Sequence, residues 1–246
     1  LVSHPEIDKS SFTGSTEIGK HIAGIAARNL TRCSLELGGK SAAIVLEDAD
    51  LASAAGTMVF SALMNSGQAC VSQNRILAPR SRYDEVVEAL VENVSVMPVG
   101  DPADEGTVFG PLANHKQKES VEGYIRQGVE EGATIAYGGG DVDGLPGHVA
   151  DGAYVQPTVF RDVDNSMTIA QEEIFGPVLQ VIPYDTVDEA VQIANDSDYG
   201  LAGAVYSADP EAALKVAQRV RTGTMGINWY AFDPSAPFGG FKNSGL

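Results

Sequence analysis

The chain has 246 residues, enough for one large domain or two modest ones, and its 43% hydrophobic and 20% charged residues are ordinary for a soluble globular protein. Its 33 acidic side chains against 16 basic ones give a formal net charge of −17, which repels phosphate backbones and anionic lipid and so argues against nucleic-acid or membrane partners. Two cysteines, Cys33 and Cys70, make no disulfide framework, and four histidines form no pair at metal-ligand spacing, so free thiols, no metal and a reducing cytoplasmic compartment are expected.

No apolar run approaches the roughly 18 residues of a membrane span, and the opening LVSHPEIDKSS has charges where a secretory core would be apolar. The segment SFTGS reads as a strand entering a glycine turn, followed by a helix over about 17–30 with Ile18, Ile22, Ile25, Ala26 and Leu30 on one face. RCSLEL is a second strand ending at Gly38-Gly39, and AAIVL a third. Asp50 opens a helix carrying Leu51, Ala54, Ala55, Met58 and Val59. RILAP is a strand leading to an amphipathic helix through Val86, Val87, Leu90, Val91 and Val94. A long loop, VGDPADEGTVFGPLAN, precedes a polar-faced helix that Gly132 ends. ATIAYGGG is a strand running into a Gly- and Asp-rich connection that extends to about Asp151. VLQVIPY, the helix TVDEAVQIANDS, the strand LAGAVYS, the helix DPEAALKVAQRV and TGTMGIN complete the pattern. Strands and helices alternating through short glycine junctions predict an α/β fold with a parallel-rich sheet. Because the first strand has nothing before it to pair with, partner segments are expected outside this sequence.

Three places have the residue types that chemistry needs. GSTEIGKH, over 14–21, matches the triphosphate loop G-x-x-x-x-G-K-[ST] except at His21, which offers no hydroxyl to Mg²⁺, and Glu17 would repel phosphates. A glycine turn feeding a helix, or another kind of phosphate contact, are the readings left. Cys70 sits in NSGQACVSQNR among small and polar neighbours. It is either a core thiol near a helix end or a nucleophile on a glycine-loosened loop. Cys33 alternates with Leu35 and Leu37, which predicts a packed core residue and turns Glu36 to the other strand face. Glu36 then stands at the carboxyl end of a strand, where ligands collect in open α/β sheets, and is either a solvated strand-end group or a partly desolvated base. A cysteine–histidine hydrolase would need His21, His115 or His148 beside Cys70, and none has a motif-like context.

Taken together, FTGSTEIG, LELGGK, GQAC, EEIFGPV and PFGGFKNSG resemble, in order and along the whole chain, the signatures of the aldehyde dehydrogenase superfamily. The resemblance implies an aldehyde-dehydrogenase-like catalytic domain over 39–246 and, over 1–38, the last strands of a Rossmann-like cofactor domain. It implies that Gly14, Ser15, Thr16 and Gly19 form the turn that meets the pyrophosphate of NAD or NADP, which disposes of the triphosphate reading. Leu37, Glu173 and Phe175 would hold the nicotinamide end, and Trp229, Tyr230, Phe232 and Phe238 would line a substrate tunnel. Cys70 would attack the aldehyde and Glu36 would activate the water that releases a carboxylic acid. The family's oxyanion asparagine, adenosine-ribose contacts and oligomerisation segment have no counterpart in this chain, so tight NAD(P) binding and full turnover are expected to need more than it. A dimer or tetramer is implied for the complete protein. Two alternatives stay open: a member that passes the acyl group to coenzyme A, and a truncated, non-enzymatic homologue serving as a binding module.

Overall fold

The computed structural model describes residues 1–246. Nine strands and seven helices, alternating along much of the chain, follow one another in the order that the sequence predicts, save for one short strand and one short helix. Strands β1 (Lys9–Thr13) and β2 (Arg32–Glu36) pair in parallel as a small sheet, joined by helix α1 (Thr16–Ala27). The other seven strands are β3 (Ala42–Val45), β4 (Arg75–Pro79), β5 (Thr134–Tyr137), β6 (Thr158–Arg161), β7 (Val178–Tyr184), β8 (Gly203–Tyr206) and β9 (Gly226–Ile227). They form a second sheet in the order β5-β6-β7-β4-β3-β8-β9, parallel throughout except for β5 against β6.

Helices cover both faces of the large sheet, and β3 shows why its strands carry continuous apolar runs. Ala42 and Ile44 point into one core, with residues from α4 (His115–Glu130), α5 (Thr168–Gln171), α6 (Val187–Asn195) and α7 (Pro210–Ala217). Ala43 and Val45 point into the other, with α2 (Leu51–Leu63) and α3 (Tyr83–Ser95). The helices start where side chains can satisfy their first free amides: Asp50 Oδ1 accepts from Ala52 N–H, and Asp209 Oδ1 from Glu211 and Ala212 N–H. Pro210 occupies the first turn of α7, where its missing N–H costs nothing.

Arg75 ties the layers together from inside. Its guanidinium is 1% exposed and donates to Lys40 O, Asn165 Oδ1, Ile193 O and Ala194 O at 2.9–3.1 Å. It thereby caps the carboxyl end of α6, where a cation complements the helix dipole. Burial lowers its pKa to about 10, against the pull of Asp196.

Several expectations need correction. Helix α1 stops at Ala27, and Leu30, expected on its apolar face, is 90% exposed with φ +55°. Cys33 is only half-buried, because the small sheet is less thickly covered than the large one and only Leu35 of β2 is buried. Strand β6 and helix α5 have no counterpart in the sequence reading. Each is four residues long, and β6 is buried along most of its length, so neither shows a period to detect. Apart from these corrections, the far edge of β2 is covered by the last residues: Leu35 and Leu246 exchange both backbone hydrogen bonds at 3.0 Å, and Leu37 N–H donates to Ser244 O at 2.8 Å.

Candidate active site

The site is assembled from the ends of strands. At the end of β1, Gly14 N–H donates to Glu36 O at 3.1 Å, which fixes the turn against β2. A side chain at Gly14 would run into the Phe12 ring. Ser15 caps α1, its Oγ accepting from Ile18 N–H at 3.4 Å. Beyond β2, Leu37 and Gly38 continue the same wall.

Helix α2 ends at Leu63, and the chain then makes three successive left-handed residues, Asn65 (φ 54°), Ser66 (φ 54°) and Gly67 (φ 72°). Such backbone costs on the order of 1–3 kcal/mol at each non-glycine position and persists only where surroundings enforce it. Here Ser66 Oγ donates to Gly110 O at 2.9 Å, Asn65 Nδ2 to Gln68 O at 3.1 Å, and Gln68 Oε1 accepts from Ala113 N–H at 2.9 Å. The reversal delivers Cys70 to the cleft, with its carbonyl packed so tightly on Gly39 that no side chain fits there. A β-carbon at Gly67 would overlap the Gly176 carbonyl. Gly67→Ala is therefore expected to destabilise the fold by about 3 kcal/mol, combining a clash with a disfavoured φ. A denaturant midpoint unchanged from wild type would contradict this.

Glu173 reaches the same place from the loop after α5. Its Oε1 accepts from Gly39 N–H at 3.0 Å, and its carboxylate fills the space beside Gly38 that a side chain would need. Phe175 follows with φ +55°, and Gln117 of α4 clamps this turn by donating to both Ile174 O and Phe175 O at 3.0 Å. Gly14, Ser15, Leu37, Cys70, Glu173 and Phe175 all line one cleft of about 570 Å³.

The electrostatics of the site are those of partial burial. Burial raises the pKa of Glu173, opposed by the Gly39 N–H and by Lys40. Burial also raises that of Glu36, one of whose carboxylate oxygens is shut off from water without a hydrogen-bond partner. The Cys70 thiol is pushed above its ordinary 9.0, first by burial and then by Glu173, with Glu36 adding a little; the N–H groups of Cys70 and Val71 act the other way. At neutral pH the thiol is thus the predominant form. The rate of Cys70 alkylation by iodoacetamide is expected to be still rising at pH 9, and a plateau reached near neutrality would contradict this.

The model of the aldehyde dehydrogenase family matches residues 1–246. This chain belongs to the aldehyde dehydrogenase family. It is 54% identical over 246 residues to a geranial dehydrogenase from Castellaniella defragrans, covering 100% of this chain and 50% of that protein. Among solved structures, an aldehyde dehydrogenase from Mycobacterium tuberculosis in complex with NAD⁺ superimposes with a TM-score of 0.97 at 59% identity. A mutant of aldehyde dehydrogenase C from Pseudomonas syringae, in complex with NAD⁺ and octanal, does so with 0.95 at 46%. Each match covers 100% of this chain and 50% of the other. The chain spans about half the length of the relatives it matches.

Not every residue that the dehydrogenase signatures single out reaches the cleft. Gly19 lies behind it and lets α1 close onto Leu37, which a side chain would strike. Thr16 Oγ1 donates to Asn243 O at 3.0 Å and so anchors the chain's end. Tyr230, Phe232 and Phe238 line a second hollow of about 200 Å³, where Phe232 and Phe238 meet edge to face with centroids 5.5 Å apart. Trp229 stands apart from that hollow and stacks on Phe60 at 5.9 Å. The sequence reading missed Gln117, Ser120 and Tyr124, all on the cleft-facing side of α4. They sit on a helix whose polar face looks like any solvated surface, and only its packing beside Phe175 distinguishes them. No helix is long and apolar enough to cross a membrane.

Proposed function

We propose that this chain carries the nucleophile and the water-activating base of an enzyme that oxidises an aldehyde to a carboxylic acid with NAD(P)⁺. The observation that carries the reading is convergence: segments near residues 14, 37, 70 and 173 bring a glycine turn at a helix start, a thiol and the buried carboxylate of Glu173 to one cleft, and Glu36, although it does not line that cleft, is near enough to Cys70 for its charge to act on the thiol.

The cleft suits a dinucleotide. Its Gly14 turn admits close approach, the N-terminus of α1 behind Ser15 is suited to pyrophosphate oxygens, and Glu173 can accept hydrogen bonds from ribose hydroxyls. Leu37 and Phe175 give the nicotinamide end an apolar wall. The NAD⁺ complexes among the solved relatives support this assignment. When bound, the cofactor supplies the hydride acceptor.

The chain's own residues do the rest. Cys70, once deprotonated, adds its Sγ to the aldehyde carbon and forms a thiohemiacetal. The backbone N–H of Cys70 is available to the oxyanion. Oxidation of that carbon leaves a thioester on Sγ. Glu36, with its raised pKa, takes a proton from water, whose oxygen attacks the thioester carbon; the carbon–sulfur bond breaks and the acid leaves. The second hollow, walled by Tyr230, Phe232 and Phe238, supports an apolar aldehyde tail. Octanal in the Pseudomonas complex, and the geranial of the Castellaniella enzyme's name, are aldehydes of that kind. The proposal extends to a division of the chain near Gly38, supported by the two separate sheets, and to a homo-oligomeric complete protein.

The test is product analysis in the complete protein. Octanal and NAD⁺ without coenzyme A are expected to give NADH and octanoic acid in equal amounts. Acid or acyl product that forms only after coenzyme A is added would replace hydrolysis by acyl transfer, and no NADH at all would favour the non-enzymatic reading.

A further inference from the structure

Behind the Gly38-Gly39 turn lies a buried polar cluster that the mechanism does not use. Lys40 is 1% exposed, and its Nζ has no hydrogen-bond partner. Ser41 is 4% exposed with an unpartnered Oγ, and Thr222 Oγ1 is likewise shut off from water and unpartnered. All three residues line one small void, together with Tyr199 and Arg75. Arg75 is no partner for a Lys40 ammonium, since it carries the same charge, and four of its five N–H donors are committed to Lys40 O, Asn165, Ile193 and Ala194.

An ammonium or amine sealed in protein with nothing to bond is costly, and so are two orphaned hydroxyls. Voids that stay dry are apolar, whereas a polar void with two to four partners holds water. Three of the residues lining this one carry an unpartnered polar atom, and its volume of about 10 Å³ is close to the least that accepts a single molecule. Lys40 is also the residue after Gly39, whose N–H holds Glu173 Oε1 at 3.0 Å. The Lys40 backbone is therefore one peptide away from the amide that holds the Glu173 carboxylate. The charged groups acting on Lys40 are Arg75, which disfavours its cationic form, and Glu173 and Glu172, which favour it.

We propose that Lys40 is a positioning residue for Glu173, its Nζ seated on one buried water molecule that Ser41 and Thr222 also bind. The water site is independent of the dehydrogenase reading; the effect on cofactor binding rests on Glu173 holding the cofactor.

The first arm is a crystal structure of the complete protein at a resolution that shows ordered water. A water within hydrogen-bond distance of Lys40 Nζ and of Ser41 Oγ or Thr222 Oγ1 is expected, and an empty void would overturn the proposal. The second arm is a double-mutant cycle on NAD⁺ affinity, measured by calorimetry, with Lys40→Met, Glu173→Gln and both together. Each single change is expected to weaken NAD⁺ about tenfold, and the double variant to be no weaker than Glu173→Gln alone. Independent, multiplying losses would overturn the positioning role. A large loss in Glu173→Gln with none in Lys40→Met would overturn it as well, while leaving the cofactor reading intact. No loss in Glu173→Gln would instead refute the cofactor reading. If Lys40→Met fails to fold, Ser41→Ala combined with Thr222→Val removes the water's other partners. That variant is expected to shift NAD⁺ affinity in the same direction, and wild-type affinity would overturn the link.

Discussion

In Cys70→Ala, aldehyde oxidation is expected to fall by about four orders of magnitude or more while the fold is kept. The covalent route is lost entirely when its nucleophile goes, and what remains is only catalysis from binding and neighbouring dipoles. Cys70 is half-buried on a loop held by bonds from Asn65, Ser66 and Gln68, none of which involves its Sγ, so an alanine removes chemistry with little packing. The matching check is thermal unfolding: a melting temperature near wild type with no measurable NADH formation is the expected pair of results. Retained activity would move the reaction to another residue. Cys33, the other thiol, is on the outer part of the small sheet and does not line the cleft, so Cys33→Ala is the natural control.

Glu36→Gln is expected to separate the two halves of the reaction. The first half, thiol addition and oxidation, does not require Glu36 to accept a proton from water. The second does, and removing a positioned base costs about 10²–10⁴-fold. Rapid mixing with aldehyde and NAD⁺ should therefore show a burst of one NADH per site followed by a much slower steady rate. The pH dependence has a definite sign. Burial holds the Glu36 pKa above its ordinary 4.5, so the group is a carboxylate, and a base, only above that raised value. Wild-type steady-state turnover is expected to drop as pH falls through it, and this acid limb should vanish in Glu36→Gln. An unaltered limb would assign it to some other group, with Glu173 the first to test because burial raises its pKa too.

How much of this was legible in the sequence follows from where each signal lies along the chain. The alternation of strands and helices shows in local periodicity, and the caps Asp50, Thr186 and Asp209 announce three helix starts. Glu36 and Cys70 could be picked out by type and neighbourhood because a strand end and a glycine loop are local features. What could not be read is what depends on contacts between distant segments. That Gly19 packs on Leu37 rather than facing a ligand, and that Thr16 binds Asn243, are facts about residues 18 and 227 positions apart. Gln117 and the void behind Lys40 are of the same kind: a polar residue on a polar helix, and a lysine after two glycines, look ordinary until the fold surrounds them.

The central claim is that an acyl group is carried on Cys70 before water releases it. The most direct measurement is the intact mass of the Glu36→Gln protein, quenched in acid shortly after mixing with octanal and NAD⁺, followed by peptide mapping. A single octanoyl adduct on the peptide containing Cys70, absent when NAD⁺ is omitted and absent in Cys70→Ala, is the expected result. NADH formed in stoichiometric amount with no adduct, or an adduct on Cys33, would contradict it.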